Sequence, residues 1–246
     1  MIKLVVFDFD GVIVDSAHEC FVLCKETAKR LGWKPIDKFE KQFVQARAFV
    51  QNAEDYYYIT RSFNEGLKID FSEISQEEFN SLKSKLSGDV KSFVDLFYKI
   101  RYQIQIKDIQ KWYKLHKVYP GIKRAFKQIS KKYPIAIATT KDRKSAGDLL
   151  DSIGLEIKEE NITGRELAHD KVSQLKALSK KFKVKPAEIF FIEDMLQNLK
   201  PALATGVKGC LVFWGYSNKA QKTEAKKLGI LLNKPEEIIQ KIKNCS

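Results

Sequence analysis

Two carboxylates one residue apart close the first apolar run of the chain, Val5-Val6-Phe7-Asp8-Phe9-Asp10-Gly11-Val12. Side chains alternate along a strand, so Asp8 and Asp10 share a face if the strand continues through them. Close carboxylates repel unless a shared proton or a divalent cation relieves them. Magnesium, which takes oxygen ligands, would do this. One carboxylate can then attack phosphorus, and the other can protonate a leaving oxygen and later activate water. Gly11 lets the chain turn sharply and come close to a ligand. The same four residues also suit a strand-end turn or helix cap, and the tetrapeptide alone does not choose between the two readings.

The elements that would position these groups are legible around them. Leu4 to Phe7, Ile135 to Ala138, Ile189 to Ile192 and Gly209 to Trp214 are short apolar runs, each followed by polar or small residues. They read as buried parallel strands. Helical spacing lies between them, as in Ile122-Ala125-Phe126-Ile129 and Val172-Leu175-Leu178. That alternation predicts an α/β fold, a parallel sheet with helices on both faces. Sites in such sheets lie beyond the carboxyl ends of the strands. Asp8/Asp10, Thr139/Thr140 and Asp194 should therefore converge. Residues 16–119 are different. They show no strand pattern but amphipathic runs at Ala17 to Leu31, Phe39 to Ile59, Gln76 to Leu86 behind Ser75, and Asp89 to Tyr102. This predicts a helical domain inserted after the first strand, left at the turn signal Tyr119-Pro120-Gly121. The expected division is residues 1–15 and 120–246 for the sheet domain and 16–119 for the insertion.

Asp8-Phe9-Asp10-Gly11-Val12-Ile13-Val14-Asp15-Ser16 resembles the first signature of the haloacid dehalogenase superfamily, in its phosphatase branch. Ile135 to Lys141 resembles the second, a strand ending in Thr or Ser. His169-Asp170-Lys171 resembles the third, and Ile189 to Asp194 the fourth. Four ordered pieces are more specific than one. The resemblance implies a Rossmann-like catalytic core with an all-helical cap domain, a bound Mg2+ and a phosphorylated small-molecule substrate. It implies that Asp8 is the nucleophile and a metal ligand. Asp10 would be the general acid/base, with its backbone carbonyl on the metal, and Asp194 would complete the metal site. Thr139 and Lys171 would bind the transferring phosphoryl group, with the backbone N–H groups of Phe9, Asp10 and Thr140 cradling it. Taken singly, Thr139 would suit a helix N-cap, Lys171 a surface position, and His169 has no partner that the sequence identifies.

The helical insertion and Phe213-Trp214-Gly215-Tyr216 resemble the phosphoglycolate phosphatase and β-phosphoglucomutase subgroup. Two departures stand out. Asn198 replaces the second Asp of the common Gly-Asp-Ser-x-x-Asp, with Glu193 available to compensate, and Val172 replaces a common Pro after the lysine. Arg47, Arg61 and Arg101 are candidate cap-domain groups for an anionic substrate, though each reads first as a surface residue. The expected activity is hydrolysis of a small phosphate monoester through an aspartyl-phosphate. A phosphomutase and a non-catalytic binding protein on the same core are the alternatives; Asp10 argues against dehalogenation.

Composition frames these expectations. The chain has 246 residues, 44% hydrophobic, and a formal charge of +13. Its lysines are spread along helical stretches without a block of interleaved aromatics, which reads as solvated helix faces rather than a nucleic-acid track. The positive field would still draw an anionic metabolite. No apolar run approaches the ~20 residues that span a bilayer, and the apolar start is too short for a signal peptide. Cys20, Cys24, Cys210 and Cys245 form no Cys-x-x-Cys pair. A cytoplasmic monomer or homodimer in a reducing compartment is expected.

Overall fold

Leu4 to Phe7, Ile135 to Ala138 and Ile189 to Ile192 are strands, each too short for a helix and buried along its whole length. The structure, a computed structural model, describes residues 1–245. In chain order the elements are β1 (Leu4–Phe7), β2 (Val14–Asp15), α1 (Ala17–Arg30), α2 (Glu40–Ala46), α3 (Ala53–Asn64), α4 (Gln76–Lys85), α5 (Val90–Lys107), α6 (Ile109–Tyr113), β3 (Lys117–Val118), α7 (Ile122–Ser130), β4 (Ile135–Ala138), α8 (Arg143–Ser152), β5 (Ile162–Thr163), α9 (Lys171–Phe182), β6 (Ile189–Glu193), α10 (Leu196–Ala204), β7 (Lys208–Val212), α11 (Lys219–Lys227), β8 (Leu231–Leu232) and α12 (Glu237–Asn244). The chain divides into two compact units, Met1–Asp15 together with Lys117 onward, and Ser16–His116.

The first unit is built on a six-stranded sheet in the order β5-β4-β1-β6-β7-β8, with every pairing parallel. β1 lies between β4 and β6, so the chain builds outward on one side of β1 and then returns to build on the other. That reversal is where α/β sheets open a crevice at the strand carboxyl ends. One face buries Leu4, Val6, Ala136, Phe191 and Leu211 against Leu175 and Leu178 of α9 and Leu199 of α10. On the other face Phe7 meets Phe126 of α7, ring centroids 5.2 Å apart. A separate antiparallel pair joins β2 to β3. The fourth apolar run is strand only to Val212; Phe213 to Tyr216 form a loop beyond it.

The second unit is all helical. Its centre is aromatic, with near-parallel stacks of Phe39 on Phe63, Phe43 on Tyr56, and Tyr56 on Phe97. The helical run expected from Phe39 to Ile59 is in fact two helices. α2 and the 3-10 turn after it are over by Val50, which is extended; Asp55 Oδ2 then accepts the backbone N–H groups of Gln51 and Asn52 and starts α3 afresh. α5 runs five residues past Tyr102, to Lys107, where Asp108 turns the chain and caps α6 through the N–H of Lys111. Ser75 and Glu78 form the capping box of α4.

Arg47 and Arg101 are not surface residues. Only 5% and 6% exposed, each is held inside the helical unit by a buried polar partner, Arg101 by one 82 residues away and Arg47 by one nine residues on. Arg101 grips the carboxylate of Glu19 through Nε at 2.7 Å and Nη2 at 3.0 Å, while Trp112 Nε1 donates to the same carboxylate at 3.1 Å. Arg47 donates to the Tyr56 hydroxyl at 2.6 Å. Arg61 is half-buried and pairs with Glu65. Among the described residues no helix is long and apolar enough to cross a membrane.

Candidate active site

β1 stops at Phe7, so a turn rather than a continuing strand places Asp8 and Asp10. The Asp8 N–H still reaches across to Ile192 O of β6 at 2.9 Å. Beyond it Gly11 N–H bonds to Val14 O, and Phe9 O accepts from both Ile13 and Val14. This tight loop needs Gly11 at φ +90°, a conformation side chains resist.

Asp8 is buried and its Oδ1 lies 2.6 Å from Lys171 Nζ. Asp170 positions that lysine. Its carboxylate caps α9 by accepting the Ser173 N–H at 2.8 Å, which makes Lys171 the first residue of the helix. The ammonium also donates to Ala138 O, at the end of β4, at 2.6 Å. Gln174, one turn further along α9, donates to Thr139 O and Ala168 O, both at 2.8 Å, and so ties the same loop to the helix.

β6 delivers the acidic partners. Glu193 ends the strand and Asp194 follows it, both fully buried. Ligand oxygens of Asp8, Glu193 and Asp194 all lie within 4.8 Å of one another. Glu193 Oε1 accepts the N–H groups of Asp194 and Met195 at 3.0 Å each. Its Oε2 accepts no hydrogen bond and stands 3.9 Å from Lys171 Nζ. Asp194 is gripped by the loop after β7: Tyr216 N–H donates to Oδ2 at 2.7 Å, and Ser217 Oγ donates to its carbonyl. Two glycines permit this approach. A Cβ on Gly11 would stand 2.1 Å from Asp194 Oδ2, and one on Gly215 2.2 Å from Asp194 Cβ.

The electrostatics follow from the crowding. Burial, and then the charge of Glu193, push the Asp8 carboxyl up to about 8 against the opposing pull of Lys171. Burial raises Glu193 to about 8, with Asp194 adding to the rise and Lys171 opposing it. Burial pulls the Lys171 ammonium down, but Asp8 and Glu193 more than offset that and leave it above its ordinary value. These groups behave as one coupled cluster. Four carboxylates, counting Asp10, face two ammonium groups here, those of Lys171 and Lys141. An all-oxygen set with more carboxylates than ammonium groups and a hydrogen-bond-free glutamate oxygen fits a hard divalent cation such as Mg2+.

The strand-end groups named from the sequence thus meet in part. Asp8, Lys171 and Asp194 come together, and Thr139 and Thr140 lie at the end of the adjacent β4. Thr139 is not a helix cap, because Asp142 caps α8; its Oγ1 accepts the Lys141 N–H at 3.1 Å. Asn198 sits in the first turn of α10 with its N–H on Met195 O. Glu193, weighed from the sequence only as a substitute for the missing Asp, is a full member of the acidic cluster. The sequence assigns Lys141 no role, yet it is 4% exposed with Nζ 3.6 Å from Asp10 Oδ1. Burial of a lysine in the loop after β4 is a tertiary fact, and the lysine-rich sequence masks it.

This geometry has counterparts. The haloacid dehalogenase-like hydrolase pattern matches residues 2–206, and the chain belongs to that family: it is an enzyme of the hydrolase class. Among curated proteins it is similar to phosphoglycolate phosphatase of Vibrio vulnificus, 24% identical over 221 residues, covering 88% of this chain and 86% of that one. The phosphoglycolate phosphatase of Vibrio cholerae is 23% identical over the same length. Among solved structures, a haloacid dehalogenase-like family hydrolase from Streptococcus pneumoniae superposes with a TM-score of 0.61 at 19% identity, covering 97% of each chain. A predicted phosphatase from Clostridium acetobutylicum gives 0.69 at 16% identity over 99% of each. At those identities the structural likeness speaks for the α/β fold.

Proposed function

We propose that the chain is a magnesium-dependent phosphatase of small phosphate monoesters that works through an aspartyl-phosphate on Asp8. The observation that carries this reading is the Asp8–Lys171 contact at 2.6 Å with Glu193 and Asp194 crowded against it. A nucleophilic carboxylate needs its charge balanced before a phosphate dianion can approach, and phosphoryl transfer depends on positioning and charge neutralisation.

Asp8, Asp194 and the backbone carbonyl of Asp10 would hold the metal, with Glu193 supporting them. When bound, Mg2+ supplies positive charge that offsets repulsion between the carboxylates and the phosphate. Lys171 holds Asp8 Oδ1 and directs the other oxygen at phosphorus. As that bond forms, the ester P–O bond breaks and Asp10 gives its proton to the departing alkoxide. Asp10 then takes a proton from water as the water oxygen attacks phosphorus, the bond to Asp8 breaks, and inorganic phosphate is released. Thr139 and the N–H groups of Phe9, Asp10 and Thr140 would bind the non-bridging oxygens, as anion-binding backbone nests do. The helical unit is the proposed cap domain that selects the substrate. The Vibrio relatives make 2-phosphoglycolate the first compound to try.

The test is a phosphate-release screen over phosphorylated metabolites, with Mg2+ and with a chelator, beside Asp8→Asn. Metal-dependent release that disappears in Asp8→Asn supports the proposal. Activity surviving that substitution would sink the mechanism, and phosphate passed to a sugar acceptor instead of water would move the reading to a mutase.

A further inference from the structure

We infer that Lys141 is a positioning residue for the proton-transfer step, holding the Asp10 carboxylate where it meets the leaving oxygen. The inference rests on the phosphatase reading above and extends it to a residue that reading does not use.

The geometry separates two lysines by task. Lys171 is committed at 2.6 Å to Asp8 and at 2.6 Å to Ala138 O. Lys141 lies in the loop three residues past the end of the neighbouring β4 and its ammonium faces Asp10, Nζ to Oδ1 3.6 Å. A lysine this deeply buried is unusual unless it is paired. Its stem is anchored as well. Its N–H donates to Thr139 Oγ1 at 3.1 Å, and its carbonyl accepts the Arg165 N–H at 3.2 Å. Gly164 is part of that anchor, since a Cβ there would come within 3.0 Å of Lys141 O and 2.6 Å of Arg143 N. The ammonium is therefore delivered from a fixed backbone.

Asp10 needs such a partner. Its side chain is 18% exposed, the outermost of the site's carboxylates, and a turn rather than a strand carries it. In the proposed mechanism it must meet the leaving oxygen and later a water at the same place. A cation at 3.6 Å draws the carboxylate to one position, while the separation leaves room for a short bond to the reacting oxygen. Misplacement by about 1 Å in such a step can cost on the order of 10²-fold.

The test reads leaving-group dependence, because help from a general acid matters more as the leaving group worsens. Wild type, Lys141→Met and Lys141→Arg are compared by kcat/KM on 4-nitrophenyl phosphate, phenyl phosphate and 2-phosphoglycolate with saturating Mg2+. The ratio kcat/KM reports the steps through departure of the leaving group. Lys141→Met should lose about 30-fold on phenyl phosphate and under about threefold on 4-nitrophenyl phosphate, a share of the ~10²–10⁴ that general acid–base catalysis supplies. Lys141→Arg should recover most of the loss. In an Asp10→Asn background Lys141→Met should add no further leaving-group dependence. Lys141→Gln repeats the comparison if the methionine variant melts early. Equal loss on both aryl esters overturns the inference, as does steepening that persists without Asp10. A loss confined to KM for 2-phosphoglycolate also overturns it and makes Lys141 a reader of the substrate carboxylate. Each of these outcomes leaves the phosphatase reading intact. A wild-type enzyme that releases no phosphate with Mg2+ overturns that reading and this inference together.

Discussion

Each of the two units buries charged groups, and it balances them in opposite ways. In the helical unit Glu19 is fully buried, but Arg101 grips it with two nitrogens, Trp112 donates to it, and Cys20 Sγ donates at 3.3 Å. Asp55, nearly buried, takes Lys83 at 2.6 Å and two backbone N–H groups. Burial lowers the Arg101 pKa, yet Glu19 holds it well above its ordinary value. Charge there is closed within the unit. In the sheet unit the acidic groups crowd one another, and two of them are pushed up to about 8. A neutral, fully bonded cluster holds a fold together. A cluster with more carboxylates than cations, two of them kept protonated by burial and crowding, is poised to exchange those protons for a cation.

Predictions that break or sharpen this contrast run from large to small. Lys171→Met should lower kcat by about 10³-fold, roughly 4 kcal/mol of transition-state stabilisation, while the protein stays folded; phosphate release and far-ultraviolet circular dichroism check the two halves. Arg101→Leu should do the reverse. It strands a buried carboxylate, at a cost of about 3–5 kcal/mol, and Glu19→Gln in the same chain should restore much of it. Denaturant midpoints decide this, and an unaffected midpoint would end the claim that the helical unit depends on charge closure.

The pH behaviour is next in size. Asp8 and Glu193, with ordinary values of 3.8 and 4.5, are both raised to about 8. Between about pH 4 and about pH 8 the folded, metal-free protein keeps protons that the unfolded chain has released. Its stability should therefore fall as pH rises through that window. Because metal binding displaces those protons, Mg2+ should raise the melting temperature more at pH 8 than at pH 6. Melting curves at both pH values, with and without Mg2+, measure it, and a metal effect larger at pH 6 contradicts the assignment. Gly215→Ala should cost about 1–3 kcal/mol by overpacking and weaken the Mg2+ response, since its Cβ would meet Asp194. Asn198→Asp is the mildest: a few-fold lower half-saturating Mg2+ in the activity assay, from one added carboxylate in the first turn of α10.

Particular residues show how far the sequence could be read. Asp8, Lys171 and Asp194 were legible because each follows or opens an element whose apolar pattern is local. Ser75 likewise announced its helix. The break inside Phe39 to Ile59 was missed because apolar spacing runs straight through it. What restarts the helix at Ala53 is Asp55 bonding backward to two N–H groups. The two-residue strands β5 and β8 are too short to carry a period. Arg47 and Arg101 read as exposed because no periodic or capping pattern marks Tyr56, nine residues on, or Glu19, 82 residues back, as partners.

The sequence by itself determined which residues stand at the strand ends and in what order they come, since apolar runs and helix caps depend on neighbours a few residues away. The tertiary structure alone decided that β4, β1 and β6 lie side by side. That order sets Lys171 on Asp8, Lys141 on Asp10, Glu193 in the acidic cluster, and Gly11 and Gly215 against Asp194. Partners separated by tens to hundreds of residues are chosen by sheet order and close packing, and local periodicity carries no record of either.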